Sequence, residues 1–258
     1  MKKRQTGIFI CVVCAAIVCG GCSMRREKLT VGVELGFPPY TYEDEEGKPV
    51  GFDVEMAQAL CDLKGWEIEF QEIGWDEKEI ALNSEQIDCI WSGFTITGRE
   101  EEYEVSVPYS TGCYTVIVPA DSDIRELSDL ENKVVGVQVA TSVLEYMMED
   151  EEGKKLCESF GLLTQFSDYR NVIDVLEKSS MDAVIADIGT AEFYVRYQGD
   201  KVRLLDATFR EEKYGVAVKK GNTMLCKEIT DGLQTLAENG TVAGLAEKYQ
   251  LSHRICLE

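Results

Sequence analysis

The chain has 258 residues, 45% of them hydrophobic and 28% charged, which suits one large domain or two of ordinary size. Lys and Arg number 26 against 47 Asp and Glu, a formal charge of -21, so no nucleic-acid partner is expected: phosphate binding needs a basic footprint. Plentiful apolar residues and only 5 prolines also exclude low-complexity disorder.

Lys2, Lys3 and Arg4 open the chain, and 8–18 is an apolar run without a charge. That run is too short to span a bilayer and reads as the core of an export signal. It ends at Val18-Cys19-Gly20-Gly21-Cys22, which resembles a bacterial lipobox with Cys22 as the lipidated residue. Cys19 stands where an aliphatic residue is usual. Residues 1–21 are then a signal peptide and 22–27 a lipidated tether; the alternative is a plain secretory signal cut nearby. Two acyl chains hold a protein stably on a membrane, whereas one is marginal. Cys11, Cys14, Cys19 and Cys22 have the spacing of a metal site, but they sit inside the export segment, so no metal site is expected. Cys61, Cys89, Cys113, Cys157, Cys226 and Cys256 are scattered, and both disulfides and buried free thiols fit them.

A strand at 29–33 leads to a loop over Gly36 to Pro39, where consecutive prolines exclude helix. An acidic hairpin at 42–49 follows. Asp53 is a plausible N-cap for a helix at 54–64 with Met56, Leu60 and Leu63 on one face. A strand at 67–72, a helix at 77–84 and a strand at 88–91 complete the first unit. The second unit alternates in the same way: strands at 134–137, 164–166 and 183–186, with helices at 142–149, 171–178 and 190–197. Strands at 202–205 and 214–218 and a helical region from Met224 close the chain. Alternation of this kind means βαβ units with helices on the faces of a sheet. Two α/β lobes joined by extended segments account for it.

Several residue runs, in order, carry a family resemblance. They are Val31-Gly32-Val33, Phe37-Pro38-Pro39-Tyr40, Gly51-Phe52-Asp53, Ile87-Asp88, Thr95-Ile96-Thr97 and Pro108-Tyr109. After them come Val135-Gly136-Val137-Gln138, Asp182-Ala183-Val184, Tyr214-Gly215-Val216-Ala217-Val218, Asn239-Gly240-Thr241 and Lys248-Tyr249. The series resembles the family 3 extracellular solute-binding proteins, which deliver polar amino acids to ABC importers. The resemblance implies an α/β, two-lobed periplasmic-binding-protein type II fold with a hinged inter-lobe cleft. Lobe one would be 28–110 plus 208–258, and 111–207 would be hinge and lobe two. It also implies a monomer on the outer face of the cell membrane that captures a polar L-amino acid of the basic, glutamine or cystine class. An ABC permease and its ATPase subunit would be its partners, with no cofactor of its own; the chain has no Walker motif.

Within that frame Arg99 is the expected carboxylate ligand, because its planar fork makes two charge-assisted hydrogen bonds. The family commonly has one more residue between the threonine pair and this arginine. The plain alternative is a surface arginine neutralising Glu100, Glu101 and Glu102. Thr141 and Ser142 open a helix whose free N–H groups favour an anion, although either is equally an N-cap. Asp187, at the end of a strand, matches the family's ammonium-binding aspartate, with the Gly93 carbonyl and the Thr95 hydroxyl across the cleft; helix capping is its alternative. Glu34, Phe37, Trp75 and Gln138 would select the side chain, the aromatic pair gripping a stem or a cation. Core packing is the alternative for Trp75. The acidic clusters lack calcium-loop spacing, and with His253 the only histidine, His-based triads and histidine-rich zinc sites are excluded. Two other functions stay open: a cyclohexadienyl or arogenate dehydratase-like enzyme on the same scaffold, and a sensory amino-acid-binding lipoprotein.

Overall fold

The computed structural model describes residues 28–178 and 180–257. The export segment and Cys22 lie outside the described residues. Strand β1 (Lys28–Val33) runs into a short meander of β2 (Gly36–Phe37), β3 (Thr41–Glu43) and β4 (Pro49–Val50). Then come α1 (Phe52–Lys64), β5 (Glu67–Glu72), α2 (Lys78–Asn83), β6 (Cys89–Ile90) and β7 (Tyr103–Val105). The long strand β8 (Ser110–Pro119) carries the chain into β9 (Val134–Gln138), α3 (Ser142–Glu149), α4 (Glu151–Ser159), β10 (Leu162–Phe166) and α5 (Val172–Glu177). Next are β11 (Ala183–Asp187), α6 (Ile188–Gln198), β12 (Val202–Leu204) and β13 (Phe209–Tyr214). The chain ends with β14 (Ala217–Lys219), α7 (Thr223–Glu238) and α8 (Thr241–Lys248).

Two sheets form two lobes. The first has the order β5-β1-β6-β14-β7, with β1 parallel to both β5 and β6. The second has the order β10-β9-β11-β8-β12, with β13 added on β8. Strands β8 and β13 are the two crossings between lobes, and they pair antiparallel from Ser110↔Tyr214 to Tyr114↔Phe209. A register shift lies between Phe209 and Glu212, and Arg210 there has φ 50.

The helix at 54–64 begins earlier than expected, and Asp53 is not its cap. Gly51 precedes α1 with φ 128, and a Cβ there would stand 2.2 Å from the Tyr40 carbonyl oxygen. Asp53 is instead fully buried and accepts hydrogen bonds from the Gly93 N–H (2.6 Å) and the Tyr109 hydroxyl (2.7 Å). Met56 and Leu60 are fully buried in the first lobe, but Leu63, in the last turn, is 45% exposed. The expected strand at 214–218 is broken at Gly215, so that β13 belongs to the crossing and β14 to the first sheet. Among the elements not expected are β7, β8 along its ten residues, and α4, which Asp150 caps through the Glu152 and Gly153 N–H groups. The acidic run around residue 150 is therefore a helix start, where negative charge favours the dipole.

All six cysteines among the described residues are free thiols. Cys61 and Cys89 are fully buried in the first lobe, where burial pushes the Cys61 thiol up to about 12. No helix of the described residues is long and apolar enough to cross a membrane.

Candidate functional site

A cleft between the lobes lies beyond the C-terminal ends of β1, β6 and β9, where open α/β sheets place ligand contacts. Lobe one lines it with Glu34, Phe37, Trp75, Gly93, Thr95 and Arg99. The opposite wall carries Gln138, Thr141 and Ser142, and Tyr114 and Tyr214 come from the crossing strands. Nine of the ten residues expected to touch a ligand are thus brought together. Asp187 is not among the lining residues.

At one end Arg99 is 7% exposed and donates to Glu145 Oε1 of α3 across the cleft (2.6 Å). Its guanidinium carbon lies 5.0 Å from the Phe94 ring centre. Burial opposes its charge, but the Glu145 carboxylate more than offsets this and holds its pKa above the usual value. Lys78 is also buried, 3% exposed, and donates to the carbonyls of Trp75 (3.1 Å) and Ala140 (2.9 Å). Burial, with the Arg99 charge assisting, pushes the Lys78 ammonium down to about 8.

Thr141 occupies the N-cap position of α3, yet its hydroxyl turns back to the Gln138 carbonyl (2.8 Å) and no side chain caps the helix. The first N–H groups of α3 therefore face the cleft without a side-chain acceptor, the arrangement that suits an anion. The Ser142 hydroxyl donates to Glu212 Oε1 (2.5 Å) and lies 2.9 Å from the Tyr114 hydroxyl.

Asp187 ends β11 and caps α6: Oδ1 accepts from the Gly189 N–H (2.8 Å) and the Thr190 N–H (3.2 Å). Its Oδ2 accepts from the Tyr214 hydroxyl (2.5 Å), so Tyr214 stands between this carboxylate and the cleft. Burial raises Asp187 to about 6 against the pull of that hydroxyl.

At the other end Glu34 is 5% exposed, and Oε1 accepts from Gln138 Nε2 across the cleft (2.8 Å). The same amide nitrogen donates to the Ser167 carbonyl (3.0 Å). Burial raises Glu34 to about 7, with the Gln138 hydrogen bond working the other way. Phe37 stacks on Tyr40 at 5.3 Å and tilts against Tyr169 of the second lobe at 6.2 Å. Gly93 has φ 55, and a Cβ there would lie 2.3 Å from the Phe37 ring, so only glycine lets that ring lie against the loop. Trp75 lines the cleft while its ring packs against Phe94 (6.2 Å), so it serves wall and core together.

Sequence reasoning missed Lys78, Glu145, Tyr214 and Glu212, and it gave Asp53 the wrong task. Asp53, raised by burial to about 7, holds the Gly93 loop in place. Its position directly after Gly51-Phe52 was the available signal, as was the run Tyr214-Gly215-Val216-Ala217-Val218 for Tyr214; nothing local marked Lys78, Glu145 or Glu212. Among the described residues no group of His, Cys, Asp and Glu could hold a metal ion.

Residues 29–252 match the bacterial extracellular solute-binding proteins, family 3. The chain is 30% identical over 249 residues to the arginine-binding extracellular protein ArtP of Bacillus subtilis (strain 168), covering 93% of this chain and 94% of that protein. It is 29% identical over 228 residues to the L-cystine-binding protein TcyJ of Escherichia coli (strain K12), covering 87% and 83%. Among solved structures, an ancestral arginine-binding protein bound to glutamine superposes with a TM-score of 0.80 at 33% identity, covering 88% of this chain and 99% of that one.

Proposed function

The chain belongs to the bacterial extracellular solute-binding proteins, family 3, and from that premise we propose that it captures a polar L-amino acid by closure of its two lobes. The observation that carries this reading is the polarity of the cleft. A buried guanidinium stands at one end, a buried carboxylate at the other, and aromatic rings between them.

The ligand carboxylate meets Arg99 and the open N-terminus of α3 at Thr141 and Ser142. Its ammonium meets the Gly93 carbonyl and the Thr95 hydroxyl, with Asp187 acting through Tyr214. The side chain runs between Phe37 and Trp75 towards Glu34 and Gln138. This suits a basic, amide or cystine side chain, all of which donate, since Glu34 accepts and the Gln138 amide, its N–H groups directed to Glu34 and the Ser167 carbonyl, offers its oxygen. Closure brings opposing walls together by bending at the two crossings, the hinge motion of two-lobed receptors. Lobe one is 28–110 with 208–258, and 111–207 holds hinge and lobe two.

The protein acts as a monomer that hands its ligand to an ABC permease driven by a separate ATPase subunit. Cys22, lipidated, holds it on the outer face of the cell membrane. A Cys22→Ser chain is expected in the soluble fraction of cells; retention in the membrane fraction contradicts the anchor.

Calorimetric titration of residues 23–258, unfolded and refolded to strip retained ligand, tests the function. The panel is the common L-amino acids with ornithine and cystine. Tight binding of one basic, amide or cystine ligand is the expected result, and no binding by any of them overturns the reading.

A further inference from the structure

Glu212 is the most deeply placed carboxylate next to the cleft that the reading above leaves without a task. It sits on β13, the return crossing, opposite Gly112 of β8, and its side chain is 1% exposed. Oε2 accepts from the Thr95 hydroxyl of lobe one (2.6 Å). Oε1 accepts from the Ser142 hydroxyl of lobe two (2.5 Å) and from Arg210 Nε (3.0 Å). Thr95 and Ser142 both line the cleft, while Glu212 lies behind them.

A hydroxyl has one proton and two lone pairs, and an ionised carboxylate has only acceptors. With both hydroxyl protons directed to Glu212, neither Thr95 nor Ser142 has a proton left for the cleft. The Tyr114 hydroxyl, 2.9 Å from Ser142 Oγ, then supplies the proton of that contact. What Thr95 and Ser142 show a ligand is lone pairs. A ligand carboxylate gains nothing from such a wall, whereas a ligand ammonium, which is all donor, is matched by it.

Resting on the amino-acid reading above, we propose that Glu212 is the positioning residue that turns Thr95 and Ser142 into an acceptor-only wall and so fixes where the ligand ammonium sits. The Ser142 side chain thus serves the ammonium, and Ser142 reaches the carboxylate only through its backbone N–H. Because Glu212 holds one hydroxyl from each lobe, the wall is complete only when the lobes are together.

The test is calorimetry on residues 23–258 with the tightest binder among L-arginine, L-histidine, L-glutamine and L-cystine, and with its α-deaminated acid (guanidinovaleric acid for L-arginine). In Glu212→Gln the amide donates to one hydroxyl and forces its proton into the cleft. The preference for the amino acid over the deaminated acid is expected to fall about tenfold or more, the scale of a charge-assisted hydrogen bond. Ser142→Ala, which leaves Glu212 in place, is expected to weaken the amino acid and leave the deaminated acid within about twofold. Equal losses for both ligands in both variants overturn the role of Glu212 while the amino-acid reading stands. Failure of the wild type to bind any of the four overturns that reading, and the role of Glu212 with it.

Discussion

The two ends of the cleft solve the burial of charge in opposite ways. At the Arg99 end the cation has a carboxylate partner, Glu145, whose side chain is 48% exposed and can retreat to solvent. At the Glu34 end the carboxylate is hydrogen-bonded to the neutral Gln138 amide and has no cation in contact, and burial raises it to about 7 against the weaker pull of Gln138, Arg170 and Lys78. An ionised group buried without an opposite charge is costly and titrates towards its neutral form. The Arg99 end is therefore charged whether or not a ligand is present. The Glu34 end gains its charge most readily when a ligand brings a cation to it. The first end recognises what all amino acids share, and the second recognises what distinguishes them.

Breaking the Arg99 end should have the largest effect. Arg99→Ala is expected to weaken the tightest amino acid by about a hundredfold or more, since truncating a buried charged partner costs roughly 2–5 kcal/mol. The variant should stay folded by circular dichroism, and near-normal affinity would remove Arg99 from the site. Breaking the other end should cost less and be selective. Glu34→Gln is expected to weaken a basic ligand about tenfold while leaving glutamine within about threefold. Equal losses for both would show that Glu34 is structural.

The raised carboxylates sharpen the contrast through pH. A basic ligand needs Glu34 ionised, so its affinity should fall as pH drops below about 7. The affinity of a neutral amide ligand should change little. Stability of the ligand-free protein should move the other way. Glu34 and Asp53, each raised to about 7, and Asp187, raised to about 6, bind protons more tightly when folded than when unfolded. Their contribution is complete below the ordinary carboxylate range and is lost as pH rises through 6–7. The Tm is therefore expected to be higher at about pH 5 than at about pH 8; the reverse order would contradict the assigned burial of these groups. The smallest effect belongs to Glu145→Gln. Removing an exposed competitor for Arg99 should tighten amino-acid binding by about twofold to fivefold, the range of a surface ion pair. A large loss would make Glu145 part of the binding site instead.

Much of the fold could be read from residues whose local pattern and tertiary setting agree. The expected strand at 67–72 and helix at 142–149 coincide with β5 and α3. Where the two disagree, the reading failed. Asp53 is a good local cap, yet the tertiary structure uses it to hold Gly93. Glu212 lies in the charged run Glu211-Glu212-Lys213, which on paper is a solvated strand. Glu212 nevertheless shares the buried side of β13 with Tyr214, two residues on, while Glu211 and Lys213 face out. Asp187 was given a ligand role and a capping role, and its carboxylate caps α6. Residues such as Phe37 and Thr95, which line the cleft beside glycine turns, stand where the turn itself is visible in the sequence. Partners supplied by the opposite lobe, such as Glu145 for Arg99, are separated by so much chain that no local pattern marks them.

The most direct test of the account is the pairing of Arg99 with the ligand carboxylate. Wild-type and Arg99→Ala protein, each refolded free of ligand, should be titrated with the tightest-binding amino acid and with its decarboxylated amine, agmatine in the case of L-arginine. The account predicts that the substitution abolishes the advantage of the amino acid over the amine and leaves the weak binding of the amine unchanged. An equal loss for both ligands would contradict it.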